Sequence, residues 1–376
     1  MTDIARDGVS SLPPELWSRI CACLDLCDVA NFRLACRTFS YIGTRPVLRQ
    51  VVVPVDPDSS DPFRAVANDP AKAKYIQSFQ VVYTPKGHGH VLDTESPDRQ
   101  AQEQGHADDE RLGGDQDGIQ NDLLICGLLS EVLPKLTALR SVIINCEDPR
   151  MGAKGDLFQT PVNHRQYAEP GRRALASLLE ALQGCGTKLD TLKAGILEWR
   201  GSIGEMLPRT PLQPGLFSSL TNLDLHFCVC GKDMYPGLPG YPDSLEPSRL
   251  SQGGALPDFL GALPNLQALA ISFCSLPSGS GSTYRVWLQD IVGTGHHWPR
   301  LATLSLSGMK LTRSLFMDLL ARHKDTLRRL ELYSVWLNRN WSEALDEIRA
   351  MLSLEDDTIC SGFHLISADG GSVLLF

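Results

Sequence analysis

Residues 259–274, FLGALPNLQALAISFC, change period halfway along. The first part reads as a helical turn. The second places Leu266, Leu269 and Ile271 in a Leu-x-x-Leu-x-Leu/Ile frame whose end alternates as a strand does, one side chain in and the next out. The frame recurs three times: in LFSSLTNLDLHFC (216–228) with Leu220, Leu223 and Leu225, in HWPRLATLSLSGMKL (297–311) with Leu301, Leu304 and Leu306, and in TLRRLELYSVWL (326–337) with Leu327, Leu330 and Leu332. Weaker copies are Ile76, Phe79, Val81; Leu139, Val142, Ile144; and Leu189, Leu192, Ala194. Helix-like apolar runs precede two of these, DLLICGLLSEVL (122–133) and RRALASLLEALQ (172–183).

Such a frame is a leucine-rich-repeat strand signature. It predicts parallel strands whose leucines enter one stacked core while the residues between them face outward. The middle positions, 79, 142, 192, 223, 269, 304 and 330, are separated by 63, 50, 31, 46, 35 and 26 residues, so the array is irregular. The excess length falls in Pro/Gly-rich loops such as 231–254 and 275–284. Helical patterns at 313–323 and 341–352 suit an outer layer, and the tail GFHLIS…SVLLF supplies a capping strand or hairpin. The competing architecture is a doubly wound parallel sheet. The recurring frame, and the lack of a phosphate-cradling Gly loop after the first strand, favour the repeat.

Upstream, RQVVVPV (49–55) has the β-branched density of a buried strand that ends at Pro54, and KYIQSFQVVY (74–83) alternates like another. Residues 84–121 are rich in Gly, Gln and acidic residues and nearly lack large apolar ones. They cannot bury enough surface to offset their ordering entropy, which predicts a disordered acidic insertion.

Formal net charge is −9, and no stretch of the sequence gathers Lys and Arg into a stripe. That argues against nucleic acid or an anionic membrane as partner. No apolar run approaches the roughly 20 residues that span a bilayer, and MTDIARDGVSS has no apolar core of the signal-peptide kind. Eleven scattered cysteines, most of them beside apolar neighbours, read as small buried hydrophobes in a reducing compartment, the cytoplasm or nucleus.

The N-terminal stretch LPPELWSRICACLDLCDVANFRLACRTF (12–39) is different in kind. Pro13 and Pro14 suit a first helical turn, and Leu16, Ile20 and Leu24 recur at a spacing of four. Asp28 is the expected N-cap of a second helix carrying Val29, Phe32, Cys36 and Phe39, with Leu34 on another face. Helices this short bury too little to stand without further packing. The stretch resembles the F-box, the three-helix module of ubiquitin-ligase substrate receptors, through Leu12, Pro13, Glu15, Leu16, Ile20, Leu24, Asp28, Val29, Arg33, Leu34, Cys36, Arg37 and Phe39. Val29 and Ala35 are smaller than the usual Leu and Val. The order F-box, short strand, irregular repeats is similar to F-box proteins of filamentous fungi.

The resemblance implies an α/β chain with a flexible N-terminus (1–10), an F-box (11–48) and a leucine-rich-repeat domain (49–376) with parallel strands and outer helices. It implies a Skp-type adaptor as partner and, through it, a cullin. Leu12, Pro13, Leu16, Ile20, Leu24, Val29, Leu34 and Cys36 would supply both the adaptor-facing surface and the helix–helix core, two sets the sequence does not separate. The plain structural reading is an N-terminal helical cap of the solenoid.

Catalytic motifs are missing from the sequence: it has no Gly-x-Ser-x-Gly elbow, Walker loop, His-Glu-x-x-His or Cys-x-x-Cys. HFCVC (226–230) hints at a soft metal site, but the frame makes Leu225 and Cys228 core positions and leaves only His226 outside. HGH (88–90) and His106 fall in the acidic insertion, His296 and His297 in a loop, and DQDG (115–118) lacks the later ligands of a calcium loop. No catalytic residue, metal or cofactor is expected. Trp336 and Trp341 are candidate partner anchors, with buried packing as the alternative. The outward strand positions Lys193, Asp224, His226, Ala270, Ser272, Ser305, Ser307, Glu331 and Tyr333 form a mixed polar strip for a protein target. With Lys193 as its one cation, the strip does not suit a phosphorylated target. The expected role is therefore substrate recognition within a Skp–cullin–F-box ligase. Alternatives are a binding scaffold outside any ligase, or an enzyme on an α/β sheet.

Overall fold

The computed structural model describes residues 12–24, 26–54, 57–82, 127–145, 164–198, 215, 217–228, 255–273, 286–293, 295–354, 365–367 and 372–373. The expected flexible N-terminus, the acidic insertion at 84–121 and the loops 231–254 and 275–284 lie outside these described residues.

The leucine frame builds the main sheet. Strands β1 (Gln50–Pro54), β2 (Ser78–Val82), β3 (Ser141–Asn145), β4 (Thr191–Glu198), β5 (Asn222–Cys228), β6 (Ala268–Phe273), β7 (Thr303–Ser307) and, after the two-residue β8 (Lys310–Leu311), β9 (Arg329–Tyr333) pair in parallel, β8 excepted. Sheet order is β1-β2-β3-β4-β5-β6-β7-β9, each strand beside its predecessor, without the reversal that marks a doubly wound sheet. The middle positions are direct partners across the strands: Phe79, Val142, Leu192, Leu223, Leu269, Leu304 and Leu330. Each is at most 1 % exposed. The leading positions Ile76, Leu139, Leu189, Leu220, Leu266, Leu301 and Leu327 are equally buried. A fully buried leucine is worth about 1.5–3 kcal/mol, so these in-register rows are the main cohesive element of the fold.

A second regularity lies in the backbone. The carbonyls of Gln77, Arg140, Asp190, Thr221, Gln267 and Ala302 each accept two consecutive N–H groups from the start of the next strand, at 2.7–3.0 Å. In this way the residue between the leading and middle leucines ties one unit to the next. In β4 the register shifts between Ala194 and Leu197. In β5 Leu223, Leu225 and Phe227 point inward, so alternation continues one step beyond the leucine frame.

Helices cover the other side of the strands. The four-residue-spaced Leu175, Leu179 and the neighbouring Leu178 and Leu182 are buried from the helix His164–Cys185. Helix Arg313–Arg322 buries Phe316, Met317, Leu319 and Leu320, and helix Trp341–Met351 buries Trp341, Ala344, Leu345 and Ile348. Both lie where the helical period predicts. Trp341 is fully buried, which removes it as a partner anchor. The helices Pro57–Ala67 and Pro70–Ala73 were not legible in the sequence.

A small second sheet has the order β12-β11-β10-β8, from β10 (Trp336–Leu337), β11 (Leu365–Ser367) and β12 (Ser372–Val373). The antiparallel β11–β12 pair is the hairpin expected of the tail. The last two units match feature for feature at a spacing of 26 residues. Gly308 (φ 69°) and Ser334 (φ 46°) occupy the left-handed turn, Met309 and Val335 are buried, and Lys310 pairs with Trp336. No helix among the described residues is long and apolar enough to cross a membrane.

Candidate functional site

Two surfaces stand out. The first belongs to three N-terminal helices, α1 (Pro14–Ala22), α2 (Leu26–Ala35) and α3 (Arg37–Arg49). Helix α2 starts two residues before the expected cap, so Asp28 lies in its first turn, where a carboxylate favours the helix dipole. It ends at Ala35 because Cys36 is extended (φ −162°, ψ 168°) and caps α3, its sulfur accepting from the Phe39 N–H at 3.4 Å. Cys36 and Phe39 therefore belong to α3 and not to α2.

These helices share a core separate from that of the sheet: Cys21, Val29 and Ile42, with Trp17, Leu24, Phe32, Phe39 and Val47 packed against it. The rings of Trp17, Phe32 and Phe39 form a triangle with centroids 4.2–5.9 Å apart. Gly43 lets α3 approach α2 closely, since a Cβ there would collide with the Arg33 side chain. Burial raises the Cys21 thiol pKa and outweighs the opposing Arg33 charge, keeping it a neutral core group.

The structure divides the eight expected residues. Val29 is buried and Leu24 half-buried, so both serve the helix core. Leu12 (38 %), Leu16 (42 %), Ile20 (41 %) and Leu34 (85 %) are exposed, as are Pro13 and Cys36. Tyr41, 77 % exposed, joins them and was not foreseen, because nothing in its spacing marks it. Among the cysteines with described side chains, Cys21 is buried as expected and Cys185 half-buried, whereas Cys23 and Cys36 are exposed because both sit at helix ends, outside the apolar stripe.

The second surface is a groove of about 590 Å³ on the open face of the main sheet. It brings together all eight expected target-face residues, Lys193, Asp224, His226, Ser272, Ser305, Ser307, Glu331 and Tyr333, together with Ala270. The strand register sets them in rows, so that Lys193, Asp224, Ala270, Ser305 and Glu331 lie side by side. Thr191, Asn222, Ala268 and Thr303 form a further row at the strand starts that the strip of expected residues omitted. Extending the same alternation two residues back finds them. Ser307, expected to project outward, is only 7 % exposed, tucked in the row between Ser272 and Tyr333.

Lys193 Nζ lies 3.6 Å from Asp224 Oδ2, and Arg329 Nε lies 2.6 Å from Glu331 Oε1. Desolvation raises the Asp224 carboxyl pKa above its usual value, with Lys193 pulling the other way. His226 Nδ1 shares a 2.6 Å hydrogen bond with the Ser272 hydroxyl. No group of three or more metal-ligating side chains occurs among the described residues. Trp336 is half-buried, in edge-to-face contact with Trp287 at 5.7 Å, with Lys310 Nζ 5.5 Å from both rings.

Comparison with known proteins bears on the first surface. The family profile of the F-box domain matches residues 9–50, about a ninth of the chain. Among curated proteins no sequence matches. Residues 9–50 are an F-box domain, a module that typically binds Skp-type adaptors and generally sits in non-catalytic substrate receptors, which suggests a ubiquitin-ligase adaptor-type role.

Proposed function

We propose that this chain is the substrate-recognition subunit of a Skp–cullin–F-box ubiquitin ligase, working in the cytoplasm, the nucleus or both. The F-box docks to a Skp-type adaptor, and through it a cullin, by Leu12, Pro13, Leu16, Ile20, Leu34 and Cys36. The main sheet, read as an irregular leucine-rich-repeat solenoid of the filamentous-fungal kind, holds a target protein on its open face. The receptor contributes proximity: a held target presents its lysines at high effective concentration to the charged conjugating enzyme.

The observation that carries this reading is the exposure of Leu12, Leu16 and Ile20 at α1, and of Leu34 on α2, in a detected F-box domain. Leu16 and Ile20, four residues apart, share one side of α1, and exposed large apolar side chains on one side of a helix mark an interaction site. The strictly sequential parallel sheet with its in-register leucines supports the repeat reading of the rest.

Co-expression of the full chain with a Skp-type adaptor, followed by size exclusion, tests it. The expected result is a stable complex that is lost in the double variant Leu16→Asp, Ile20→Asp while far-ultraviolet circular dichroism stays unchanged. Absence of a complex with the wild-type chain would reject the receptor role and leave a scaffold.

A further inference from the structure

Helix α3 carries two rows of side chains on opposite sides. Phe39, Gly43 and Val47, four residues apart, turn toward the small core. Arg37, Tyr41, Arg45 and Arg49 have the same spacing and are all exposed. At about 100° and 1.5 Å per residue they fall within about a third of the helix circumference, over a length of about 18 Å, nearly opposite the first row. The sequence keeps these arginines apart, and only the helix gathers them.

No Asp or Glu lies in α3. Among the described residues, the guanidinium groups of Arg37, Arg45 and Arg49 hold no carboxylate, whereas those of Arg64, Arg140, Arg313, Arg329 and Arg349 each do. The row even works against its own helix. Arg45 and Arg49 repel at a spacing of four, and Arg37 sits at the positive end of the helix dipole. An exposed charged row that breaks local rules without compensation calls for an anionic partner. Three cations are fewer than a nucleic-acid backbone contact typically uses, and they suit a short acidic stretch of polypeptide.

The chain holds such a stretch. Residues 84–121 carry nine Asp and Glu against three Lys and Arg, and they follow directly on β2. Just ahead of β2, the Gln77 N–H donates to the Arg49 carbonyl at 2.9 Å. The acidic segment therefore starts one strand length, about 17 Å, from the foot of the arginine row. Residues 83–126, at up to about 3.3 Å each, are long enough to run out along α3 and back. Tethering also raises the local concentration of these carboxylates to about the millimolar range, which favours them over a free acidic partner. We propose that the acidic segment 84–121 docks on the exposed side of α3 through Arg37, Arg45 and Arg49. Asp108, Asp109 and Glu110 are its densest charge. This contact does not depend on the receptor reading.

The test compares the wild-type chain with a full-length variant in which the nine acidic residues of 84–121 are changed, Asp→Asn and Glu→Gln. Phenylglyoxal modification of each arginine is followed by mass spectrometry, with exposed Arg300 as the internal reference. Expected is that Arg37, Arg45 and Arg49 react about fivefold more slowly in the wild type at low salt, and that the difference vanishes at high salt. A labelled peptide of residues 93–117 should then bind the neutralised variant and be lost when Arg45→Glu, Arg49→Glu is added to it. Equal reactivity of the three arginines in both chains would overturn the proposal. So would peptide binding that survives Arg45→Glu, Arg49→Glu, since the acidic segment would then dock elsewhere. Equal reactivity followed by protection on adding the adaptor would overturn it too, and would give the row to an acidic partner instead.

Discussion

Single residues fix the turns between units. Gly308 follows β7 at φ 69°, and a Cβ there would run into the Phe273 carbonyl oxygen. Gly308→Ala therefore meets both a left-handed penalty of about 1–2 kcal/mol and a collision with backbone, which cannot swing aside. A fall in urea-unfolding stability of at least about 2 kcal/mol is expected. Ser334 adopts the same backbone region without the collision, so Ser334→Gly should raise stability, by up to about 1 kcal/mol. Buried His323 makes a second residue-scale prediction. Its Nε2 accepts from the Trp298 N–H at 3.0 Å, which fixes the neutral tautomer whose Nδ1–H donates to the Leu319 carbonyl at 2.8 Å. Desolvation lowers its pKa, helped by neighbouring His297 and Arg322 and opposed by the Leu319 bond. His296 is lowered too, by desolvation and Arg322 against Asp258. The unfolded state then binds more protons below an unperturbed value of about 6.5. Stability is full above that pH and is lost as pH falls through the lowered folded values. Urea midpoints should drop between neutral and mildly acid pH, and less steeply in His323→Gln, whose amide keeps one donor and one acceptor.

At the scale of the element, alternation decides what a substitution costs. Leu304 is 1 % exposed between Leu269 and Leu330, whereas its neighbour Ser305 faces the groove. Leu304→Ala should destabilise by about 2–5 kcal/mol. Ser305→Ala should stay within about 0.5 kcal/mol. A Ser305→Ala effect as large as that of Leu304→Ala would show that the face assignment is inverted. This is also where sequence reasoning succeeded and failed. The leucine period named the strands and their buried faces because every unit repeats one pattern. The helix Pro57–Ala67 escaped because PDSSDP reads as a turn, and a helical stripe needs more than Phe63 and Ala67 to show. The two-residue strands β8 and β10 are too short to carry any period. The groove residues were named from alternation, but the groove itself was not seen, because depth depends on which strands, dozens of residues apart, become neighbours. In the F-box, spacing found the apolar residues. Only packing around Cys21, Val29 and Ile42 shows which of them face outward.

The whole molecule has two cores among its described residues, a small one in α1–α3 and a large one under the main sheet. Substitutions in one should leave the other undisturbed. Adaptor affinity measured by calorimetry is expected to be the same for wild type and Ala270→Trp. Likewise, Leu16→Asp, Ile20→Asp should leave the unfolding stability of the main sheet unchanged within about 0.5 kcal/mol. Strong coupling in either direction would contradict a division of labour between the two surfaces.

The carbonyls that each accept two N–H groups have a consequence for how such a chain changes over generations. The six ties span 63, 50, 31, 46, 35 and 26 residues of chain from acceptor to first donor, yet every one has the same geometry. The ladder constrains where a unit begins and is indifferent to the length that follows. Insertions between units are therefore nearly neutral to the framework. Duplication of a whole unit would add one step without disturbing its neighbours, so a lineage can remodel the rims and the reach of this protein while its spine is inherited intact.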